Sequence, residues 1–538
     1  MLGLHGGGRK MDNLLDLQAP PIYNVTEEME KFAQNPERRA IVWQNDLGEK
    51  KEMTYSKLFE CCNSCANALT KLGLSKGDKA LIVMPRKVET YVVYLACLKA
   101  GIVVIPSSEM LRPKDLSYRI IHSEAKAVII DAAFLSGIDE ITGELPSLQY
   151  KLSIGGSKEG WQSLDELAKN ESGSFETVKT SKDDMAFLSY TSGTTGLPKG
   201  AVHTHGWAFA HLQTAAKGWL GIKEQDQVWA TAGPGWQKWI WSPFVSVLGC
   251  GATGFVYNGK FDPDKYLALL EEQDISVLCC TPTEYRLMAK TDHLDQYKLP
   301  SLRSAVSAGE PLNREVIDIF QRHFNVTVRD GYGQTENTLL VGMMEGMELR
   351  PGSMGKPTPG NRVEIVDENG EPAAVGEVGD IAVHNSSPAL FKTYYKDPER
   401  TKKAFRGDYY LTGDKAKKDE DGYFWFEGRS DDIIISSGYT IGPFEVEDAL
   451  VKHPAVKECA VVASPDEIRG HIVKAYIILK DDQQEASESL VKDLQEHVKA
   501  LTAPYKYPRS IEFVSDLPKT TSGKIRRIEL RLKENSGS

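Results

Sequence analysis

Lys79-Ala-Leu-Ile-Val-Met84, Glu89-Thr-Tyr-Val-Val-Tyr-Leu-Ala-Cys-Leu-Lys-Ala100 and Ile102-Val-Val-Ile-Pro106 follow one another closely, and they decide the fold. Two short apolar runs of strand length flank a longer run of helix length. Strand, helix and strand in that order predict a crossover between parallel neighbours, the unit of an α/β sheet. The same texture continues through 127–131. It resumes with 227–231, a helix at 263–272, then 277–280 and 304–307. No fixed period links these segments, so the chain reads as two similar α/β layers rather than a solenoid.

From about residue 353 the texture changes to short strands and turns, such as 363–366, Asp367-Glu-Asn-Gly370 and 379–383, which predict a β-rich subdomain. Beyond Arg429 a third pattern starts. A strand at 433–436, a helix at 443–452, strands at 456–463 and 473–479 and a helix at 487–501 make a small α+β unit. Asp431-Asp432 is the charged turn between the two patterns. Residues 1–10 read as a tag or leader, 11–430 as a large N-terminal domain and 431–538 as a small C-terminal domain.

A chain of 538 residues, 41% hydrophobic and 26% charged, has material for a large core and for more than one domain. A net charge of −11 argues against nucleic-acid or anionic-membrane partners, so an anionic substrate has to be caught by local positive charge. Eight cysteines without an export signal point to reduced thiols and a cytoplasmic location. Cys62-x-x-Cys65 has metal spacing but lies in a helical pattern, with no second pair of ligands nearby. The uncharged stretch 239–257 approaches membrane-span length, yet Pro243 and Gly249, Gly251 and Gly254 interrupt it, so a buried helix followed by a strand is expected.

Tyr190-Thr-Ser-Gly-Thr-Thr-Gly-Leu-Pro-Lys-Gly200 is the first chemical motif. Glycines let backbone amides approach an anion, Thr191, Ser192, Thr194 and Thr195 add hydroxyl donors, and Lys199 adds charge, which together suit a polyphosphate. The spacing is not that of a Walker loop, because Pro198 stands where the second glycine belongs. An ordinary polar turn has the same composition. Asp330-Gly-Tyr-Gly-Gln-Thr-Glu336 follows a strand-like run, so a turn there presents Thr335 and Glu336 where parallel sheets collect ligands. Glu336 suits magnesium beside phosphates, or else caps a helix. Asp414 ends the run Tyr410-Leu-Thr-Gly-Asp414 and suits a ribose, with Arg429 as a planar cation; each is equally read as half of a surface ion pair. Leu517-Pro-Lys-Thr-Thr-Ser-Gly-Lys524 places a lysine on a glycine-bearing turn, either a mobile catalytic cation or a solvated basic tail.

These segments, in this order, resemble the adenylate-forming superfamily of acyl-CoA synthetases, luciferases and adenylation domains over nearly the whole chain from about residue 20. Ser-Ser-Gly-Tyr439, Ile-Gly-Pro443, His-Pro-Ala-Val456, Thr-Ala-Pro-Tyr-Lys-Tyr-Pro-Arg509 and Leu-Pro-Lys-Thr520 are most similar to the bacterial medium-chain acyl-CoA synthetases. The resemblance implies two half-reactions. A carboxylate attacks the α-phosphate of Mg-ATP to give an acyl-adenylate and pyrophosphate, and coenzyme A then displaces AMP. It implies that Thr191, Ser192, Gly193, Thr194, Thr195, Gly196 and Lys199 hold the β- and γ-phosphates. Gly309, Glu310, Pro311, Asp330, Gly331 and Tyr332, with Gly333 and Gln334 following, would frame the adenine, and Asp414 and Arg429 the ribose. Thr335 would meet the α-phosphate, Glu336 the Mg2+, and Lys524 the charge converging in the first transition state.

In such enzymes the C-terminal domain rotates between the steps. Asp431 matches the hinge, and Ser437, Gly438, Tyr439, Arg469, Lys499 and Arg509 match the coenzyme A face. Gly333 stands where acetyl-specific relatives carry tryptophan, so a pocket larger than acetate is expected, with Trp236 as its gating aromatic and Trp239 and Trp241 either nearby or in the core. Thr440 replaces a usual arginine and Ile435 a usual polar residue, which predicts weaker coenzyme A binding. The acid expected is short- or medium-chain, branched chains included. A benzoate-like acid, a carrier protein as acceptor, or a non-catalytic acyl or nucleotide sensor are the alternatives. The oligomeric state is left open.

Overall fold

A computed structural model describes residues 16–191, 198–310, 312–436, 439–466, 469–480, 486–519 and 524–536. The strands foreseen at 79–84 and 102–106 are Lys79–Val83 and Val103–Ser107, joined by the helix Val88–Lys99. They pair in parallel, and Ala127–Asp131 and Tyr150–Ile154 extend the sheet in the same sense. That sheet has seven strands and ends in the antiparallel hairpin of Met185–Thr191 with Lys199–Thr204.

A second sheet of nine strands carries Gln227–Ala230, Val277–Cys280, Ser304–Ala308 and Val328–Gly333 as parallel neighbours. The central parallel strands of both sheets are buried on both faces, which is why they read as continuous hydrophobic runs. Lys79–Val83 and Ala127–Asp131 are almost wholly buried. The strand at 328 runs four residues further than its apolar pattern suggested, through Asp330, Gly331 and Tyr332 to Gly333. Gly331 permits this, since a Cβ there would stand 2.6 Å from the Trp219 ring.

The uncharged stretch after Trp236 is a helix broken into Gln237–Trp239, a π-helical Ile240–Ser246 and Val247–Gly249, followed by the strand Thr253–Asn258. Pro243 cannot donate a backbone hydrogen bond, so the turn widens. The carbonyl of Trp241 is satisfied instead by the Ser246 hydroxyl at 2.6 Å and by Nε2 of His211 at 2.9 Å. Burial holds the His211 imidazole down at about 4 and therefore neutral, so Nε2–H donates there while Nδ1 accepts from the Thr338 hydroxyl. Among the described residues no helix is long and apolar enough to cross a membrane.

The β-rich part is a five-stranded antiparallel sheet built around Val378–His384 and Tyr409–Lys418. After Phe424–Arg429 come the hairpin Ile434–Ser436 with Tyr439–Ile441, and the three-stranded sheet Val456–Asp466, Gly470–Leu479 and Ser510–Phe513. The helices Pro443–Val451 and Glu488–Leu501 pack on that sheet through Val446, Leu450, Leu494 and Val498, all fully buried. The architecture is thus mixed α/β, with a large N-terminal and a smaller α+β C-terminal domain. The two parts touch where Asn313 donates to Asp448 at 3.2 Å and where Gly428 packs on Pro443.

Candidate active site

Parallel strands end together, and here the carboxyl ends of Ser304–Ala308 and Val328–Gly333 put Gly309 and Glu310 beside the turn 334–337. That turn is not a helix start. Glu336 caps nothing; the Asn337 side chain closes the turn by accepting from the Gln334 amide at 2.7 Å. The buried ring of His203 faces the Thr335 backbone. Gly309 has a φ of +108°, and the space its side chain would take is open. Glu310 accepts from Thr283 at 2.9 Å and from Arg286 at 3.3 Å.

The carboxyl of Asp330 is crowded by protein, and burial pushes its pKa up to about 7, partly offset by the Gly331 and Leu312 amides and the Lys238 ammonium. Tyr332 and Gln334, two positions apart on one face of the chain, both donate to Oδ2 of Asp414 at 2.5 Å. Asp414 lies opposite Arg429 in the strand register, with Oδ1 3.6 Å from Nε. Burial raises the Asp414 carboxyl, and Arg429 pulls it back. Tyr332, Gln334, Asp414 and Arg429 therefore form one connected group, which neither ion-pair reading foresaw.

Thr191 and Lys199 are register partners at the mouth of the hairpin that carries the glycine-rich loop. Ser192, Gly193, Thr194, Thr195 and Gly196 lie outside the described residues, as do Pro311, Ser437 and Gly438. Lys199 reaches across to Oε1 of Glu336 at 2.7 Å. Oε2 of Glu336 carries no hydrogen bond among the described residues, and no three His, Cys, Asp or Glu side chains gather there as a metal cage. One carboxylate whose second oxygen has no hydrogen bond among the described residues would fit a magnesium ion that takes its other ligands from phosphates and water.

Lys524 arrives from the C-terminal domain. Its side chain is solvent-exposed, and partial desolvation by neighbouring protein lowers its pKa; Arg429 lowers it further, while Asp414 and Glu310 oppose the shift. The lysine thus lies within electrostatic range of Arg429, Asp414 and Glu310, although it is more than a hundred residues from Asp414 in the chain.

Of the tryptophans, Trp236 is partly exposed at the head of its helix, and Trp239 is core, stacked on Phe244 and flanked by Tyr91 and Tyr94. Trp241 stands against Gly333: a Cβ there would come within 2.7 Å of the indole and 2.3 Å of the Thr338 carbonyl. On the C-terminal domain Tyr439 is exposed and stacks on Tyr505 at 4.3 Å. Lys499 and Arg509 both lie over the Tyr507 ring, at 4.3 and 4.6 Å, whereas Arg469 is held separately by its amide to Asp466.

The family model described as AMP-binding enzyme matches residues 29–395, more than half of the chain, and the model for the AMP-binding enzyme C-terminal domain matches 445–524. The chain belongs to the AMP-binding enzyme family. This AMP-binding enzyme is 62% identical over 519 residues to the uncharacterised acyl-CoA ligase YtcI of Bacillus subtilis, covering 96% of this chain and 97% of that one. It is 41% identical over 523 residues to the human mitochondrial acyl-coenzyme A synthetase ACSM3, covering 96% and 89%. Its fold matches that of the anthranilate CoA ligase AuaEII in complex with anthranoyl-AMP, with a TM-score of 0.89 at 31% identity over 96% of this chain and 98% of that one. The AMP-binding enzyme described here is accordingly an AMP-forming acid–CoA ligase of the adenylate-forming superfamily, using ATP and coenzyme A.

Tyr394 is the residue that sequence reasoning missed. It lies outside every phosphate or acid motif, and its signal is tertiary: residues 392–395 pair with the edge of the Lys199–Thr204 strand.

Proposed function

We propose that this ligase activates a short- or medium-chain carboxylic acid, branched chains included, and transfers it to free coenzyme A. The supporting observation is that Lys524, from the C-terminal domain, lies within electrostatic reach of Asp414 and Arg429, as the adenylation half-reaction requires. Asp414 takes the ribose hydroxyls in this reading, held by hydrogen bonds from Tyr332 and Gln334. Lys199 binds the outer phosphates, Thr335 the α-phosphate, and Lys524 stabilises charge where carboxylate and α-phosphate meet. Glu336 would hold the magnesium ion, which supplies neutralisation of phosphate charge when bound. Gly333, standing where acetyl-specific relatives carry tryptophan, supports an acid larger than acetate, and the Trp241 ring and Thr338 carbonyl pack directly against it.

Asp431, between the last strand of the β-rich sheet and the C-terminal hairpin, is the hinge on which residues 431–538 turn for the thioester step. Rotation carries Lys524 away and brings Tyr439, Arg469, Lys499 and Arg509 toward coenzyme A. Eight free cysteines suit a cytoplasmic setting.

The likeness to an anthranilate CoA ligase favours a second reading, an aromatic acid. Acid-dependent ATP–pyrophosphate exchange and acyl-CoA formation, measured from butyrate through octanoate with branched acids and benzoate, separate the two. Preference for benzoate would replace the aliphatic reading, and a requirement for a carrier protein would replace free coenzyme A.

A further inference from the structure

The hydroxyl of Tyr394 sits where two motifs meet. It donates to Oε1 of Glu336 at 2.8 Å and accepts from Nζ of Lys199 at 2.7 Å, while the ammonium also lies 4.5 Å from the centroid of the tyrosine ring. The residue is 3% exposed and Glu336 6%. Its backbone is fixed twice. Tyr394 bridges to Ala201 on the strand that begins with Lys199, and its amide donates to the Thr401 hydroxyl at 3.0 Å. Three residues earlier the Phe391 amide donates to the carbonyl of Glu336 itself at 2.7 Å. One short segment therefore grips both the lysine strand and the acidic turn.

Lys199 and Glu336 neutralise each other across 2.7 Å. Nucleotide phosphates that claim the ammonium and a divalent cation that claims the carboxylate must part them, and a carboxylate freed of its partner turns about its side chain unless something else holds it. We propose that Tyr394 is a positioning residue for the adenylation step, holding Oε1 of Glu336 so that Oε2 is offered to the divalent cation when Lys199 leaves for the phosphates. The inference rests on the adenylation reading of Glu336 and Lys199.

The test is calorimetric binding of a non-hydrolysable ATP analogue, titrated with Mg2+ and without acid or coenzyme A. Wild type, Tyr394→Phe, Glu336→Gln and the double variant are compared. Phenylalanine keeps the ring in its packing against Phe391 and removes the hydroxyl alone. Tyr394→Phe should raise the Mg2+ concentration for half-saturation about tenfold, the scale of one hydrogen bond to a charged group. Any change in binding without Mg2+, through the lost contact to Lys199, should be smaller than the change in Mg2+ dependence, and that dependence should not shift further in the Glu336→Gln background. The cycle is read as a ratio, so a general loosening of the fold cancels. Wild-type Mg2+ dependence in Tyr394→Phe, or an equal shift in both backgrounds, overturns the proposal. Nucleotide binding by wild type that ignores Mg2+ overturns the adenylation reading beneath it.

Discussion

Asp330→Asn should alter how stability depends on pH. Burial keeps the Asp330 carboxyl protonated up to about 7, against an ordinary value of 3.8. Between those values the unfolded chain has released a proton that the fold still holds, so stability falls as pH rises. The contribution is full below about 3.8 and lost once pH passes about 7. From pH 5 to pH 8 the loss covers about two pH units, on the order of 3 kcal/mol at about 1.4 kcal/mol per unit. Asparagine does not ionise and escapes it.

Urea unfolding of the nucleotide-free wild type and variant at pH 5, 6, 7 and 8 gives the two profiles, and their difference cancels every other titrating group. The wild type should lose about 3 kcal/mol relative to the variant across that range, with most of the change below pH 7. Parallel profiles would show that solvent or Lys238 compensates the carboxylate, and the burial argument would be wrong.

Lys524→Ala should cut acid-dependent ATP–pyrophosphate exchange by about a hundredfold to a thousandfold, the loss expected for one preorganised cation, and largely spare thioester formation from supplied acyl-adenylate. Stopped-time assays of the two half-reactions check this, and equal loss in both would refute the division. Gly333→Ala forces a Cβ against the Thr338 carbonyl and Trp241, so it should destabilise by about 1–3 kcal/mol and shift preference to shorter acids. Thermal denaturation and the acid panel read both effects. Thr440→Arg should lower the apparent Michaelis constant for coenzyme A in steady-state assays, and an unchanged or higher constant would remove the argument from the missing arginine.

Much of the fold was legible because hydrophobic period and turn residues are local properties. The runs 79–84 and 102–106 became parallel strands, and Tyr55–Lys71 became the helix that buries Cys62 and Cys65, the pair whose spacing had raised a metal. Local reading stopped short where packing overrides pattern. Asp330-Gly-Tyr-Gly looked like a turn, yet its glycines let the strand continue against Trp219 and Leu339. The helix after Trp236 took a π-turn because Pro243 lacks an amide hydrogen, and the carbonyl of Trp241 is satisfied by Ser246 of the same segment together with His211 from a distant one.

The sequence by itself determined the residue types of the site, because a phosphate loop, an acidic turn and a terminal lysine each carry their chemistry within a few positions. Tertiary structure decided who faces whom. It joined Tyr332 and Gln334 to Asp414, set Trp241 against Gly333, brought Lys524 within electrostatic range of Asp414 and Arg429, and placed Tyr394 between Lys199 and Glu336. The physical reason is range: side-chain chemistry and backbone propensity act over a few residues, whereas hydrogen-bond partners and desolvation are assigned only when distant segments pack together.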